Sequence, residues 1–197
     1  MEGQQKPIIL YVNQGNGFVN VSGFGPMLEV ASSHGFNIVF FQVYRQGRLL
    51  YSPVALQSLV NQTHRAGLKV FFALYITNAS QALPTSIFGL GEDGVSLDMS
   101  TLTLDSQQAL LGALKASFSG ETAVTTTDMT SPLKPSLLVL ETYQSIDKQY
   151  IREGIVGSVG VFATSSQADY QSQFQYALQN SDGVMVFDYY GLQKAGY

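Results

Sequence analysis

Two segments that begin 32 residues apart, counted from Gly35 to Gly67, decide the fold of this sequence: SHGFNIVFFQVY at residues 33–44 and RAGLKVFFALYI at residues 65–76. In each, a glycine of the kind that ends a helix is followed by a run of aromatic and β-branched residues typical of a buried strand. Recurrence at a fixed period indicates an internal repeat of one helix and one strand.

The same pattern continues along the rest of the chain. Strands are predicted over residues 8–12, 37–44, 69–76, 94–98, 122–127, 137–141, 158–163 and 184–188. Helices are predicted over residues 26–34, 53–65, 105–118, 146–153 and 167–179. The strands are continuous apolar runs without polar alternation, as expected of parallel strands that are buried on both faces.

Eight strands with intervening helices favour an α/β fold, a compact (β/α)8 TIM-type barrel that forms one domain over residues 1–197. Only about ten residues separate the fifth and sixth predicted strands, which is too few for a full crossover helix, so that helix is expected to be missing or reduced. The alternative is an open, doubly wound sheet in which some strands are misassigned.

The composition restricts the class of function. Charged residues make up only 12% of the chain, the net charge is −4, and there is no basic run, which argues against a nucleic-acid partner. No apolar run is long enough to span a membrane. The absence of cysteine excludes disulfides and thiolate metal sites, and with only two histidines we predict no metal or other cofactor. The low charge content would suit an extracellular protein, although residues 1–7 lack the apolar core of a signal peptide.

Polar side chains follow the predicted strands at their carboxyl ends, where barrel enzymes carry their active sites. Four carboxylates occupy such positions: Asp98, Asp128, Glu141 and Asp188. Tyrosines, amides and one arginine accompany them: Tyr11, Asn13, Gln42, Tyr44, Arg45, Tyr75, Tyr143 and Tyr190. Aromatic rings stack on the apolar faces of sugars, and amides and acids bind sugar hydroxyls. Since two carboxyl groups supply the chemistry of glycoside hydrolysis, this set predicts a carbohydrate ligand.

The segment EDGVSLDMS at residues 92–100 resembles the strand-four signature DGxDxDxE of family 18 glycoside hydrolases, the chitinase-like barrels. Asp93, Gly94 and Asp98 match that signature, whereas Ser96 and Ser100 replace an Asp and the catalytic Glu. The resemblance implies a barrel, but without that Glu it does not imply the substrate-assisted hydrolysis of the family.

The order of the acids is also similar to that of the α-galactosidase clan, which places a nucleophile after strand four and an acid/base after strand six. This resemblance implies that Asp98 is the nucleophile and Glu141 the acid/base. Asp128 and Asp188 then remain to bind sugar hydroxyls or to transfer a proton. The segment SDGVMVFDYY at residues 181–190 aligns Phe187, not Asp188, with Asp98. Because successive side chains of a strand face opposite sides, the two aspartates cannot both face inward in the same register.

Three functions follow from these patterns. The first is a glycosidase that uses Asp98 and Glu141. The second is a barrel that binds carbohydrate, or serves a structural role, without catalysis, as Ser100 suggests. The third is a small-molecule lyase or isomerase that uses Asp98 and Arg45.

Overall fold

The computed structural model describes residues 5–15, 18–128, 130–141, 151–160 and 166–194. Its strands, in chain order, are β1 (Ile8–Val12), β2 (Ile38–Arg45), β3 (Arg48–Leu49), β4 (Lys69–Tyr75), β5 (Gly94–Asp98), β6 (Glu121–Thr126), β7 (Leu137–Leu140), β8 (Val156–Gly160) and β9 (Gly183–Phe187). Its α-helices are α1 (Phe24–Ser33), α2 (Pro53–Arg65), α3 (Leu104–Ser117), α4 (Gln167–Asn180) and α5 (Tyr189–Lys194).

Eight parallel strands close into a barrel in the order β1, β2, β4, β5, β6, β7, β8, β9, and β1 pairs with both β2 and β9. The predicted TIM-type barrel is therefore confirmed, and the open doubly wound sheet is wrong. All eight barrel strands lie within a few residues of their predicted positions because each is a short apolar run that is buried on both faces.

The connections between strands vary in their helix content. The β6–β7 connection, residues 127–136, contains no helix among its described residues, which confirms the expected loss. The β4–β5 connection contains only a 3-10 turn at Thr85–Ile87. The predicted helix over residues 146–153 falls mostly outside the described residues, and its last three residues are not helical. Among the described helices, none has both the length and the apolar character needed to cross a bilayer.

One short element was not predicted. After β2 the chain turns at Gln46 and Gly47, both with positive φ (51° and 80°), and returns as β3, which pairs antiparallel with the end of β2. Positive φ at both central residues is the geometry of a tight two-residue hairpin. This hairpin extends β2 beyond the barrel at its carboxyl end.

The core has two layers. The larger layer packs the outer face of the barrel against the helices. The inner layer fills the barrel interior with apolar side chains: Ile9, Tyr11, Ile38, Phe40, Phe71, Ala73, Ala123, Val139, Val156 and Met185. Because this interior is filled, a ligand has access only to the ends of the barrel.

Candidate functional site

A cavity of about 230 Å3 lies at the carboxyl ends of the barrel strands. Its lining residues are Asn13, Gln42, Arg45, Tyr75, Asp98, Ser100, Glu141 and Phe187. The structure thus brings both predicted catalytic carboxylates into one cavity with four of the predicted binding residues. The volume lies below the roughly 300–1,000 Å3 of drug-sized ligand pockets, so it suits a small ligand.

A β-bulge in β2 decides which of its side chains reach the cavity. Gln42 pairs with Ala73 and Tyr44 with Leu74, so Val43 is an extra residue without a partner on β4. A bulge of this kind changes the alternation of side chains and re-aims those that follow. Gln42 before the bulge and Arg45 after it therefore both line the cavity.

Tyr44, which was predicted to bind substrate, points away from this cavity. Its hydroxyl donates a hydrogen bond to the carbonyl of Ala82 at 3.0 Å and so anchors the loop that follows β4. Arg45 takes the inward position instead. Its guanidinium carbon lies 5.4 Å from the centre of the Tyr75 ring, and Nη1 donates to Asn13 Oδ1 at 3.5 Å. Stacking on the ring and bonding to the amide hold the arginine in the wall of the cavity.

Asp98 is an acid of the cavity with a strongly perturbed pKa. Its side chain is buried, and this burial, together with repulsion from Glu141, raises its pKa to about 8. A hydrogen bond from the Tyr11 hydroxyl, a backbone hydrogen bond from Ser100 and the charge of Arg45 lower the pKa, but less than burial raises it. Asp98 is therefore mainly protonated at neutral pH, because the effect of burial exceeds that of these contacts.

The two oxygens of Asp98 differ in their partners. Oδ2 accepts the hydrogen bond from Tyr11 at 3.3 Å, whereas Oδ1 has no hydrogen-bond partner among the described residues. The hydroxyls of Ser96 on the same strand and of Thr125, the residue that pairs with Asp98 on β6, are also buried without a partner there. This side of the interior is therefore polar.

Asp93, the first acid of the DGV segment, lies at the other end of β5. Its Oδ2 accepts the backbone N–H of Val70 at 2.9 Å and contacts His64 Nε2 at 2.9 Å. It therefore joins α2, β4 and β5 at the amino end of the barrel. Because active sites of TIM-type barrels lie at the opposite, carboxyl end of the strands, we assign these contacts of Asp93 to stability.

The remaining predicted residues are distributed around the rim. Tyr11 is fully buried in the interior layer and is linked to the site through its hydrogen bond to Asp98. Asp128 accepts hydrogen bonds from the amide and hydroxyl of Thr130 in its own loop. Neither residue is among those that line the cavity.

Asp188 and Tyr190, which follow β9 and were predicted to bind substrate, do not line the cavity. Asp188 is buried, and its Oδ1 accepts the backbone N–H of Gly191 at 3.0 Å, which caps the start of α5. Tyr190 lies on α5, and neither residue lines the described cavity. Phe187, which the alignment of the two DGV segments places opposite Asp98, does line it. Tyr143 lies outside the described residues.

Two cavity residues were not among the predicted site residues: Ser100 and Phe187. For Phe187 the signal was present, because its alignment with Asp98 placed it on the inward face. Arg45 and Asp98, on which the lyase or isomerase hypothesis depends, lie in the same cavity. Among the described residues there is no group of three or more His, Asp or Glu side chains able to hold a metal ion.

Comparison with known proteins shows likeness of fold but not of sequence. No protein-family model matches the chain, and neither does any curated protein sequence. Among solved structures, the glycoside hydrolase family 84 protein CpGH84B superposes with a TM-score of 0.62 at 8% identity over 92% of this chain. This chain covers 44% of that protein's length.

Two further solved structures align with most of this chain over most of their own length. The family 18 chitinase ChiB from Flavobacterium johnsoniae has a TM-score of 0.58 at 11% identity, covering 96% of this chain and 89% of its own. An HpcH/HpaI aldolase from Desulfitobacterium hafniense has a TM-score of 0.54 at 9% identity, covering 98% and 90%. At such low identity these matches show the barrel fold alone. The resemblance of the 92–100 segment to family 18 and the catalytic roles that the resemblance to the α-galactosidase clan implies stay predictions.

Proposed function

We propose that this protein is a carbohydrate-active barrel that binds a single sugar ring in the rim cavity and hydrolyses its glycosidic bond. The observation that carries this proposal is the joint placement of Asp98 and Glu141 in one small cavity, beside the amides of Asn13 and Gln42. A pair of carboxyl groups is the common equipment of glycoside hydrolysis, and amides suit sugar hydroxyls. The glycoside hydrolases among the fold neighbours support the same class.

The raised pKa of Asp98 favours the opposite assignment of the two catalytic roles, with Asp98 as the acid and Glu141 as the nucleophile or base. Because burial keeps Asp98 protonated, Asp98 suits the general acid, which gives its proton to the glycosidic oxygen as that oxygen leaves the anomeric carbon. Glu141, which is half-buried at the end of β7, is the carboxylate that attacks the anomeric carbon or removes a proton from the attacking water. Tyr75 and Phe187 supply aromatic surface next to the ring.

A barrel that binds carbohydrate without catalysis is the second candidate. The burial of Asp98, which is 6% exposed, favours it, because an acid must reach the glycosidic oxygen to protonate it. Ser100, which lines the cavity where the family 18 signature has its catalytic Glu, favours it as well.

A panel of 4-nitrophenyl glycosides, assayed from pH 3 to 9, separates the two candidates. The variants Asp98→Asn and Glu141→Gln are compared with Asp105→Asn, in the first turn of α3, and Glu121→Gln, which pairs with Lys69 at the amino end of the barrel. Hydrolysis predicts turnover in the wild type and both controls that falls at least about a hundredfold in the two cavity variants. Loss of the wild-type rate on the alkaline side should be centred near pH 8, where Asp98 loses its proton.

Binding of the corresponding free monosaccharides is measured in parallel by NMR. Sugars that bind the wild type but not Glu141→Gln, with no turnover of any glycoside, would establish the binding barrel instead. If no sugar binds and no glycoside is cleaved, both candidates are wrong. Turnover that persists unchanged in Asp98→Asn and Glu141→Gln would overturn the assignment of these residues.

A further inference from the structure

The loop between β1 and α1 carries an exposed aromatic ring. Phe18 is 58% exposed, and its ring stacks on the Tyr51 ring with a centroid separation of 5.1 Å and an interplanar angle of 11°. Tyr51 is itself buried, packs against Phe24 and Phe41, and donates its hydroxyl to the carbonyl of Val19. One face of the Phe18 ring therefore rests on a fixed support, and the ring remains open to solvent.

This loop is bonded to the wall of the rim cavity. The backbone N–H of Gln14 donates to the side-chain oxygen of Gln42 at 3.0 Å, and the side-chain oxygen of Gln14 accepts the backbone N–H of Val19 at 2.8 Å. A chain of two hydrogen bonds thus connects a cavity residue to the neighbour of Phe18. Through Gln14, these bonds hold the backbone next to Phe18 in a fixed position relative to Gln42 in the cavity wall.

A second connection runs through Arg45. Asn13 Oδ1 accepts the backbone N–H of Gly15 at 2.7 Å and also the Arg45 guanidinium. The guanidinium occupies the space that a Cβ at Gly15 would take, so a larger residue here would displace the end of the Arg45 side chain. Two cavity residues therefore contact this loop: Asn13 is its first residue, and Arg45 packs against it from β2.

We propose that the Phe18 ring is a platform for a second saccharide ring beside the cavity, so that the ligand of this protein is an oligosaccharide of at least two rings. This inference rests on the proposed carbohydrate function. The free face of the Phe18 ring is flat and apolar and is held in place by Tyr51, and the apolar face of a pyranose ring is the complement of such a surface. The cavity, at about 230 Å3, leaves any further ring of a longer ligand outside it.

Calorimetric binding of three β-1,4-linked series tests the proposal: the mono-, di- and trisaccharides of N-acetylglucosamine, glucose and mannose. Phe18→Ala should weaken binding of the di- and trisaccharide roughly three- to tenfold, the value of one aromatic stacking contact, and leave monosaccharide binding within about twofold. Phe18→Tyr, which keeps the ring, should retain wild-type binding. Val54→Ala removes an apolar side chain that is 81% exposed on α2 and should change nothing.

The outcomes separate this inference from the function on which it rests. If monosaccharides bind and Phe18→Ala binds disaccharides as tightly as the wild type does, the platform is wrong and the proposed function stands. A loss that is equal for mono- and disaccharides also overturns the platform, because it would show a general effect on the cavity. If no saccharide of the three series binds the wild type, the proposed function and the platform are both overturned. Urea unfolding of each variant establishes that the comparison is made on folded protein.

Discussion

The hydroxyl of Tyr11 on β1 donates a hydrogen bond at 3.3 Å to Oδ2 of Asp98 on β5, three strands away around the barrel. The bond crosses the barrel interior, so the fully buried Tyr11 ring lies beneath the acid of the cavity. Burial and the charges of Asp98 and Glu141 hold the pKa of Tyr11 well above its ordinary value. Tyr11 therefore acts as a permanent hydrogen-bond donor to Asp98 over the whole range of pH in which the protein would work.

The protonation of Asp98 should make folding stability depend on pH. The pKa of Asp98 is about 8 in the folded protein and near 3.8 in the unfolded chain. Its contribution to stability is complete below about pH 4 and is lost as the pH rises towards about 8, because the unfolded chain gives up its proton first. Within that range the loss approaches about 1.4 kcal/mol per pH unit.

Urea unfolding at pH 4, 6 and 8 measures this contribution. Asp98→Asn cannot ionise, so its unfolding free energy should fall less over this range than that of the wild type. Asp105→Asn, which removes an exposed carboxylate from α3, should show the wild-type dependence. Parallel curves for the wild type and Asp98→Asn would show that Asp98 ionises normally in the folded protein.

Removal of the Tyr11 hydroxyl should raise the pKa of Asp98 further. The hydrogen bond from Tyr11 stabilises the carboxylate, and Tyr11→Phe deletes that bond while it keeps the buried ring. The carboxyl carbon resonance of 13C-labelled Asp98, followed by NMR over pH, should titrate at a higher pH in the variant. Tyr44→Phe is the matched control, because its hydroxyl bonds to Ala82 in a loop outside the barrel interior. An unchanged or lower midpoint in Tyr11→Phe would contradict this account of the site.

The barrel could be predicted from sequence because its determinants are local. Each strand is a short apolar run, and glycines at positive φ, such as Gly35 and Gly67, end the helices that precede two of them. The meeting of Asp98 and Glu141 in one cavity also followed from their positions at the ends of parallel strands. These features depend on burial and on backbone conformation, both of which leave a pattern in the residues themselves.

The orientation of side chains at the rim could not be predicted in the same way. Tyr44 and Arg45 exchange faces because Val43 bulges out of the register with β4, and no residue type in QVYR requires a bulge. Asp188 turns to cap α5, a helix too short to be recognised from its sequence. The pKa of Asp98 depends on burial by residues that are distant in the chain, so its raised value follows only from the folded protein.

Asp93 should matter for stability and not for the ligand. Its carboxylate accepts the backbone N–H of Val70 and contacts His64, so Asp93→Ala leaves a backbone donor without its partner. We expect the free energy of unfolding to fall by about 1–3 kcal/mol. Saccharide binding and glycoside turnover should stay at wild-type values in the folded variant. Turnover or binding that falls while stability is unchanged would place Asp93 in the functional site.

Gly94, the glycine of the DGV segment, should be required by packing inside the barrel. A Cβ at this position would lie 2.4 Å from Cε2 of Phe71, whose ring fills the interior beside β5. Gly94→Ala must therefore displace a buried ring or the strand itself, and we expect it to lower the free energy of unfolding by about 1–3 kcal/mol. The control is Gly112→Ala on the exposed face of α3, where a Cβ has no neighbour within 4 Å and where alanine should stabilise by roughly 0.5–1 kcal/mol. Urea denaturation of the two variants should thus give shifts of opposite sign. A Gly94→Ala variant as stable as the wild type would show that Phe71 has room to move, and the glycine beneath Asp98 would then need an explanation other than packing.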